Sequence, residues 1–113
     1  MTRGRIDFIE LACDDVAEMQ DFYSAVFGWE FERFGPTYAC TMSGDVDLGF
    51  QADPPERSAA PLPVIQVPDL EAALALVEGV GGLVTRPIFA FPGGRRFHFR
   101  DPAGNELAAH KPD

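Results

Sequence analysis

Hydrophobic and polar residues follow one another in an order that predicts two successive modules, each with a strand, a helix and about three further short strands. The first strand of the first module is RIDFIELA (5–12), and the second module restarts with LPVIQV (62–67). Glycine and proline separate the remaining strand candidates. These are WEFERF, TYACTMS and DLGFQA in the first module and LVTRPIF, RRFHFR and NELAAH in the second.

Each predicted helix begins after an aspartate and ends at a glycine. Asp15 is expected to cap the first helix, and Gly28 is expected to end it. Asp69 and Gly82 delimit the second helix in the same way. Apolar residues at helical spacing are predicted to face the core. They are Val16, Met19, Phe22, Tyr23, Val26 and Phe27 in the first helix, and Leu70, Ala73, Leu74 and Val77 in the second.

The repeated order of elements predicts an α+β fold made of two βαβββ modules. The modules are expected at about 5–52 and 62–111, joined by a proline-rich linker at 53–61 that shows no periodicity. A length of 113 residues fits one domain spanning 1–113. So short a chain leaves much apolar surface exposed, which pairing with a second copy would cover. A homodimer is therefore predicted.

Composition and charge exclude several classes of function. The formal net charge is −9, and the few basic residues form no patch for phosphate groups, so nucleic acid is not an expected partner. Two cysteines make neither a disulfide framework nor a paired metal motif. No signal peptide or membrane-spanning run is evident, so we predict a cytoplasmic protein without a membrane partner. Hydrophobic residues make up 46% of the chain, as expected for a packed domain.

Four motifs together resemble the vicinal oxygen chelate superfamily, which includes glyoxalase I, bleomycin-resistance proteins and extradiol dioxygenases. The motifs are FIELACDD, DFYSAVFGWEF, VPDLEAALALVEGVGG and FRDPAGN. The chain is most similar to the small glyoxalase-like branch. The resemblance implies an open, U-shaped mixed sheet around a cavity with the helices outside, and it implies frequent dimerisation. It also implies a divalent metal held by His, Gln or Glu on the first strand of each module and by Glu on the last strand.

Carrying this metal site over to the chain gives residues that cannot bind a metal. The expected positions hold Phe8, Leu62 and Ala108, and the fourth position, near 48–51, has no clear counterpart. None of these three side chains has an electron pair to donate. We therefore expect no metal cofactor at the usual site, and no true glyoxalase I activity.

The same positions fix which side chains are expected to line the cavity, because strand residues alternate between faces. Phe97 and Phe99 alternate with His98 and Arg100 on the next-to-last strand, and Tyr38 and Phe50 are further candidate aromatics. The predicted ligand-binding residues are Phe8, Glu10, Tyr38, Phe50, Leu62, Gln66, His98, Glu106 and Ala108.

Glu10 is the candidate with the strongest functional interpretation. A carboxylate inside an apolar strand is costly to bury unless it is paired or hydrogen-bonded. It could act as a general base, anchor a cationic ligand, pair with Arg100, or sit at a dimer interface.

Three functions fit these observations. The first is a binding protein that holds an aromatic or cationic small molecule in a mostly apolar cavity. The second is a lyase or isomerase that uses Glu10 as base or a shifted divalent-metal site made of Glu10, His98 and Glu106. The third is a regulatory or accessory module without a ligand. We rank them in this order.

Overall fold

Eight strands and two α-helices form the predicted α+β fold in a computed structural model that describes residues 1–113. The N-terminal module contains β1 (Arg5–Ala12), α1 (Val16–Phe27), β2 (Glu32–Arg33), β3 (Tyr38–Cys40) and β4 (Asp47–Gln51). The C-terminal module contains β5 (Leu62–Gln66), α2 (Leu70–Gly79), β6 (Leu83–Phe91), β7 (Gly94–Arg100) and β8 (Glu106–Pro112). The predicted linker holds one short 3-10 helix at Pro54–Glu56.

Both modules have the same strand order, which confirms the repeat. In the N-terminal module β2, β3, β4 and β1 lie side by side, with β1 parallel to β4 and the other pairs antiparallel. In the C-terminal module the order is β5, β8, β7 and β6, with β5 parallel to β8. The chain divides into two compact units, Phe8–Leu62 and Met1–Asp7 with Pro63–Asp113.

Both helix starts and the end of α1 follow from the predicted caps, whereas α2 ends at Gly79, before the predicted Gly82. The Asp15 carboxylate accepts hydrogen bonds from the backbone N–H groups of Ala17 and Glu18. Gly28 ends α1 with a left-handed φ of 70°, a conformation that glycine adopts without strain. Asp69 caps α2 through a 3.0 Å hydrogen bond from the N–H of Ala72. Neither helix is long and apolar enough to cross a membrane.

Each helix covers one face of its own sheet. Under α2, the buried residues Val67, Leu70, Ala73, Phe97 and Ala109 form the core of the C-terminal module. In the N-terminal module the buried core residues are Val16, Ala39 and Phe50, with Met19 and Tyr23 packed against them.

One prediction about α1 is wrong. Phe22, Val26 and Phe27 were expected to face the core, but their exposed fractions are 58%, 55% and 58%. The part of α1 that contacts the core comprises Val16, Met19 and Tyr23, so only part of the apolar stripe packs against the sheet.

An irregularity in β6 interrupts the regular alternation of its side chains, so that residues two positions apart face opposite sides of the sheet. The pairing with β7 shifts register between Val84 and Arg86 and again between Arg86 and Phe89. Pro87 lies in the second shift, where its missing N–H breaks the ladder. As a result Val84 and Ile88 pack against the core. Arg86 lies opposite His98 in the β6–β7 ladder, and its guanidinium group lies over the ring of Phe89.

Candidate functional site

The candidate site residues lie mainly on the helix-free face of each module, defined here as the sheet face turned away from that module's own helix. In the N-terminal module, Leu11, Leu48 and Phe50 face α1, as the alternation along β1 and β4 requires. Glu10 and Gly49, which are paired across the two strands, belong to the opposite face.

A buried hydrogen bond organises the helix-free face of the N-terminal module. Glu10 is only 2% exposed, and the hydroxyl of Tyr38 donates to its Oε1 atom at 3.0 Å. Gly49 makes the close packing possible, since a Cβ there would lie 2.5 Å from Cζ of Phe8 and 2.8 Å from the Tyr38 hydroxyl. The structure thus brings together three predicted site residues, Phe8, Glu10 and Tyr38.

Phe50 requires a correction. It was predicted to line the ligand site, but its side chain is fully buried in the core under α1. Its ring centroid lies 5.5 Å from that of Tyr23 and 5.3 Å from that of Phe31. Because Gly49 occupies the helix-free face of β4, its neighbour Phe50 has to face the helix.

His98 lies on the helix-free face of the C-terminal module. It lies directly opposite Ala108 on the antiparallel strand β8, and it is only 5% exposed. Its Nδ1 atom lies 3.6 Å from Oε2 of Glu106, which also accepts a hydrogen bond from the Thr85 hydroxyl at 3.0 Å. The Nε2 atom of His98 is buried and has no hydrogen-bond partner in the protein.

The surroundings of His98 keep its imidazole neutral. Burial, together with the guanidinium groups of Arg96 and Arg86, lowers the pKa of His98 from its ordinary value of 6.5 to about 4, against the opposing effect of Glu106. The ring of Phe89 stands beside the imidazole, with the two centroids 5.8 Å apart. At neutral pH His98 is therefore an uncharged group with one unused nitrogen.

Sequence reasoning missed the burial of Arg96, which is 8% exposed. The alternation of side chains in RRFHFR could have indicated this burial, because it places Arg96 on the same face of β7 as His98. Arg100, considered as a partner for Glu10, is exposed and donates to the carbonyl of Gly104 at 2.8 Å.

Gln66 lies at the margin of the C-terminal module, and its Oε1 atom accepts a 2.9 Å hydrogen bond from Arg5. It pairs across β5 and β8 with His110, whose Nε2 atom lies 2.9 Å from Oδ1 of Asp7. Gln66 also lines a shallow basic cleft of about 580 Å³ with Arg3, Arg5 and Lys111. It is therefore part of a polar cluster that sequence reasoning did not anticipate.

Four of the predicted ligand contacts are covered by protein atoms. The exposed fractions are 2% for Glu10, 0% for Leu62, 5% for His98 and 0% for Ala108. A ligand would have to displace neighbouring side chains to contact them. Their role in binding stays a prediction.

The residues at the expected metal positions do not fit a metal ion. Phe8, Leu62 and Ala108 offer only hydrocarbon, and the protein contains no group of three or more His, Cys, Asp or Glu side chains that could hold a metal. Glu10 belongs to one compact unit and His98 and Glu106 to the other, so the shifted set made of these three residues stays a prediction.

The buried cysteine is not an activated nucleophile. Burial raises the pKa of the Cys40 thiol to about 11, with smaller contributions from the carboxylates of Asp47 and Glu32. The thiolate form that reacts is therefore scarce at neutral pH.

A surface cleft in the N-terminal module was not predicted from the sequence. It has a volume of about 760 Å³. Its apolar lining includes Trp29, Met42 and Val46, whose exposed fractions are 41%, 64% and 52%. Phe27 stacks on Trp29 at a centroid distance of 5.1 Å and extends the same apolar surface.

The protein-family model of the glyoxalase/bleomycin resistance protein/dioxygenase superfamily matches residues 5–109 of the chain. A superfamily member from Vibrio splendidus is similar in structure, with a TM-score of 0.70, 17% identity and coverage of 98% of this chain and 99% of that one. A Mn(II)-bound glyoxalase from Novosphingobium aromaticivorans gives a TM-score of 0.69 and 22% identity over 98% of this chain and 40% of that one. A methylmalonyl-CoA epimerase from Streptomyces coelicolor gives a TM-score of 0.72 and 18% identity, with coverage of 96% of this chain and 96% of that one. A search of curated proteins found no match.

Proposed function

The chain belongs to the glyoxalase/bleomycin resistance protein/dioxygenase superfamily, and on this premise we propose that it binds a small organic molecule without a metal at the usual positions. The Streptomyces coelicolor epimerase was solved with 2-nitronate-propionyl-CoA, an example of a small molecule bound to the same fold. In this chain two of the expected metal-binding positions hold the hydrocarbon side chains Phe8 and Ala108. We therefore propose that binding depends on shape, apolar contact and a few buried polar groups.

The observation that carries this proposal is the buried Glu10–Tyr38 hydrogen bond on the helix-free face. Packing alone favours apolar side chains at such a position, since burying a carboxylate removes it from water. A carboxylate held in one orientation by a tyrosine is what a site uses to recognise a donor group on its ligand. The apolar Phe8 beside this pair supplies contact surface for hydrocarbon or a ring.

A second candidate is a lyase or isomerase, favoured by the orientation of Glu10. In that case the Glu10 carboxylate accepts a proton from the carbon next to a substrate carbonyl, and the electron pair of the broken C–H bond moves into an enolate. The protonated Glu10 gives the proton back after the enolate has turned its other face toward it, which completes an epimerisation and returns Glu10 to its starting state.

We further propose that the protein is a cytoplasmic homodimer. The exposed side chains of Phe27, Trp29, Met42 and Val46, called the Trp29 surface below, favour association because a monomer leaves them in contact with water. Both cysteines are free thiols, which suits a reducing compartment.

The test combines mass spectrometry of the native protein with elemental analysis. We expect a small molecule to be retained or to bind on addition, with no stoichiometric divalent metal. Glu10→Gln should weaken binding about tenfold or more, since a hydrogen bond to a charged group contributes about 1.5–3 kcal/mol. Glu78→Gln, at an exposed position near the end of α2, is the control for loss of one negative charge.

Three outcomes decide between the candidates. Binding that is unaffected by Glu10→Gln contradicts the proposed role of Glu10. A tightly held divalent ion in the purified protein contradicts the metal-free site. Exchange of a C–H proton with deuterated water, lost in Glu10→Gln and kept in Glu78→Gln, would favour the lyase or isomerase.

A further inference from the structure

We propose that His98 is the hydrogen-bond acceptor for the ligand in the C-terminal module, and that the ligand group it contacts carries an O–H or N–H donor and no positive charge. This inference rests on the proposed small-molecule binding, and it names both the residue and the ligand chemistry. It departs from the cationic ligand that was one expectation from the sequence.

The position of His98 in the sheet is the first argument. Its partner across the β7–β8 ladder is Ala108, the residue that stands where the resemblance expects a metal-binding glutamate. Side chains directly opposite each other on antiparallel strands have Cβ atoms about 4.5–5.5 Å apart. The small methyl group of Ala108 has no electron pair to donate, whereas the imidazole opposite it has one. The electron-pair donor at this place in the sheet is therefore on β7, and not on β8 where the resemblance expects it.

The protonation state of the imidazole is the second argument. Nδ1 faces the Glu106 carboxylate at 3.6 Å, and an ionised carboxylate only accepts hydrogen bonds. The Thr85 hydroxyl holds the same Oε2 atom in place. This arrangement favours the proton on Nδ1 and leaves a lone pair on Nε2. The ring is neutral because its pKa is lowered to about 4.

The third argument is that Nε2 has no partner within the protein although it is buried. Leaving a buried polar atom unpaired costs about 1–3 kcal/mol, and nearly all such atoms in folded proteins are satisfied. An O–H or N–H group of a ligand is the complement of a bare imidazole nitrogen. The same lone pair offers nothing to a carbonyl or an ether oxygen.

The charged groups around His98 determine which charge on a ligand is unfavourable at this site. The groups that act on it are Arg86 on β6, Arg96 on β7 and Glu106 on β8. Burial and the two guanidinium groups disfavour a positive charge on the imidazole, and they disfavour a cationic ligand group for the same reasons. A neutral hydroxyl or amide, or one attached to an anionic ligand, is therefore preferred.

Nitrogen-15 NMR of the labelled protein tests the protonation state directly. At pH 7 we expect His98 to show a protonated Nδ1 and an unprotonated Nε2. Three probes then test the ligand chemistry at millimolar concentration: 4-hydroxybenzoate, benzoate, which lacks the O–H group, and tyramine, which carries a positive charge. We expect 4-hydroxybenzoate to shift the Nε2 resonance and to bind about tenfold more tightly than benzoate, the effect of one hydrogen bond. Tyramine should bind most weakly.

Two variants separate a ligand contact from a structural role. In His98→Phe the preference for 4-hydroxybenzoate over benzoate should disappear, while in His110→Gln it should remain. A proton on Nε2, a charged His98 at pH 7, or an Nε2 resonance that none of the probes shifts overturns the inference. If a ligand retained by the purified protein leaves the His98 signals unchanged, the inference fails and the proposed function stands. If neither retained nor added molecules bind, both fail.

Discussion

The ring of Phe8 lies over Gly49, so close that a Cβ at position 49 would be 2.5 Å from Cζ of Phe8. The residue that stands at an expected metal-ligand position is thus packed onto the neighbouring part of its own sheet. Where the resemblance expects a metal-binding side chain, Phe8 on β1 instead packs directly against Gly49 on β4. This relationship gives the first prediction.

Gly49→Ala should destabilise the protein by about 1–3 kcal/mol, because the added methyl group forces Phe8 or the Tyr38 hydroxyl to move. Urea unfolding measures the change. Gly79→Ala is the control, since its added Cβ meets no atom within 4 Å beyond its chain neighbours and the backbone of its own helix, and we expect no loss of stability there. In Phe8→Leu the cost of Gly49→Ala should shrink, and equal costs in both backgrounds would argue against the contact.

Tyr38→Phe should destabilise the folded protein by about 1–3 kcal/mol, because the buried Glu10 carboxylate loses a hydrogen-bond donor. The matched control is Tyr23→Phe, whose ring packs in the core against Phe50 and Trp29. We expect the control to stay within about 0.5 kcal/mol of the wild type. Equal unfolding free energies for Tyr38→Phe and Tyr23→Phe would show that the Tyr38 hydroxyl contributes nothing.

The repeated pattern predicted the order of elements and both helix starts, because turn residues, caps and periodicity are local properties of the sequence. It did not predict the irregular pairing of β6, which brings Arg86 beside His98 and depends on how one strand pairs with another. It also failed for the end of α1, where Phe27 has the right spacing but is exposed.

The candidate site was predicted in part for the same reason. Alternation correctly separated His98 from Phe97, and Glu10 from Leu11. It could not give the correct face for Phe50, because the bounds and register of β4 decide that face. The hydrogen bond between Glu10 and Tyr38 joins residues 28 positions apart, a distance at which the sequence gives no local signal.

The stability of the protein should fall as the pH decreases from about 6.5 to about 4, in part because of His98. In this range the unfolded chain binds a proton at His98 and the folded chain, with its lowered pKa, does not, so protonation favours unfolding. His98→Gln removes this contribution. Urea unfolding at several pH values should show the wild type losing stability more steeply than His98→Gln. Parallel curves would contradict a neutral, buried His98 in the folded state.

Charged substitutions on the Trp29 surface should dissociate the proposed homodimer. Met42→Glu and Val46→Glu each place a carboxylate where two apolar surfaces would meet, and burying it without a partner is strongly unfavourable. Sedimentation equilibrium should give a dimer for the wild type and a monomer, or a much weaker dimer, for both variants. Val80→Glu is the control, because Val80 is 84% exposed and lies in the C-terminal module at the end of α2. The added charge is the same in all three, so a dimer that survives Met42→Glu and Val46→Glu would place the interface elsewhere. A wild type that stays monomeric at high protein concentration would rule out the homodimer itself.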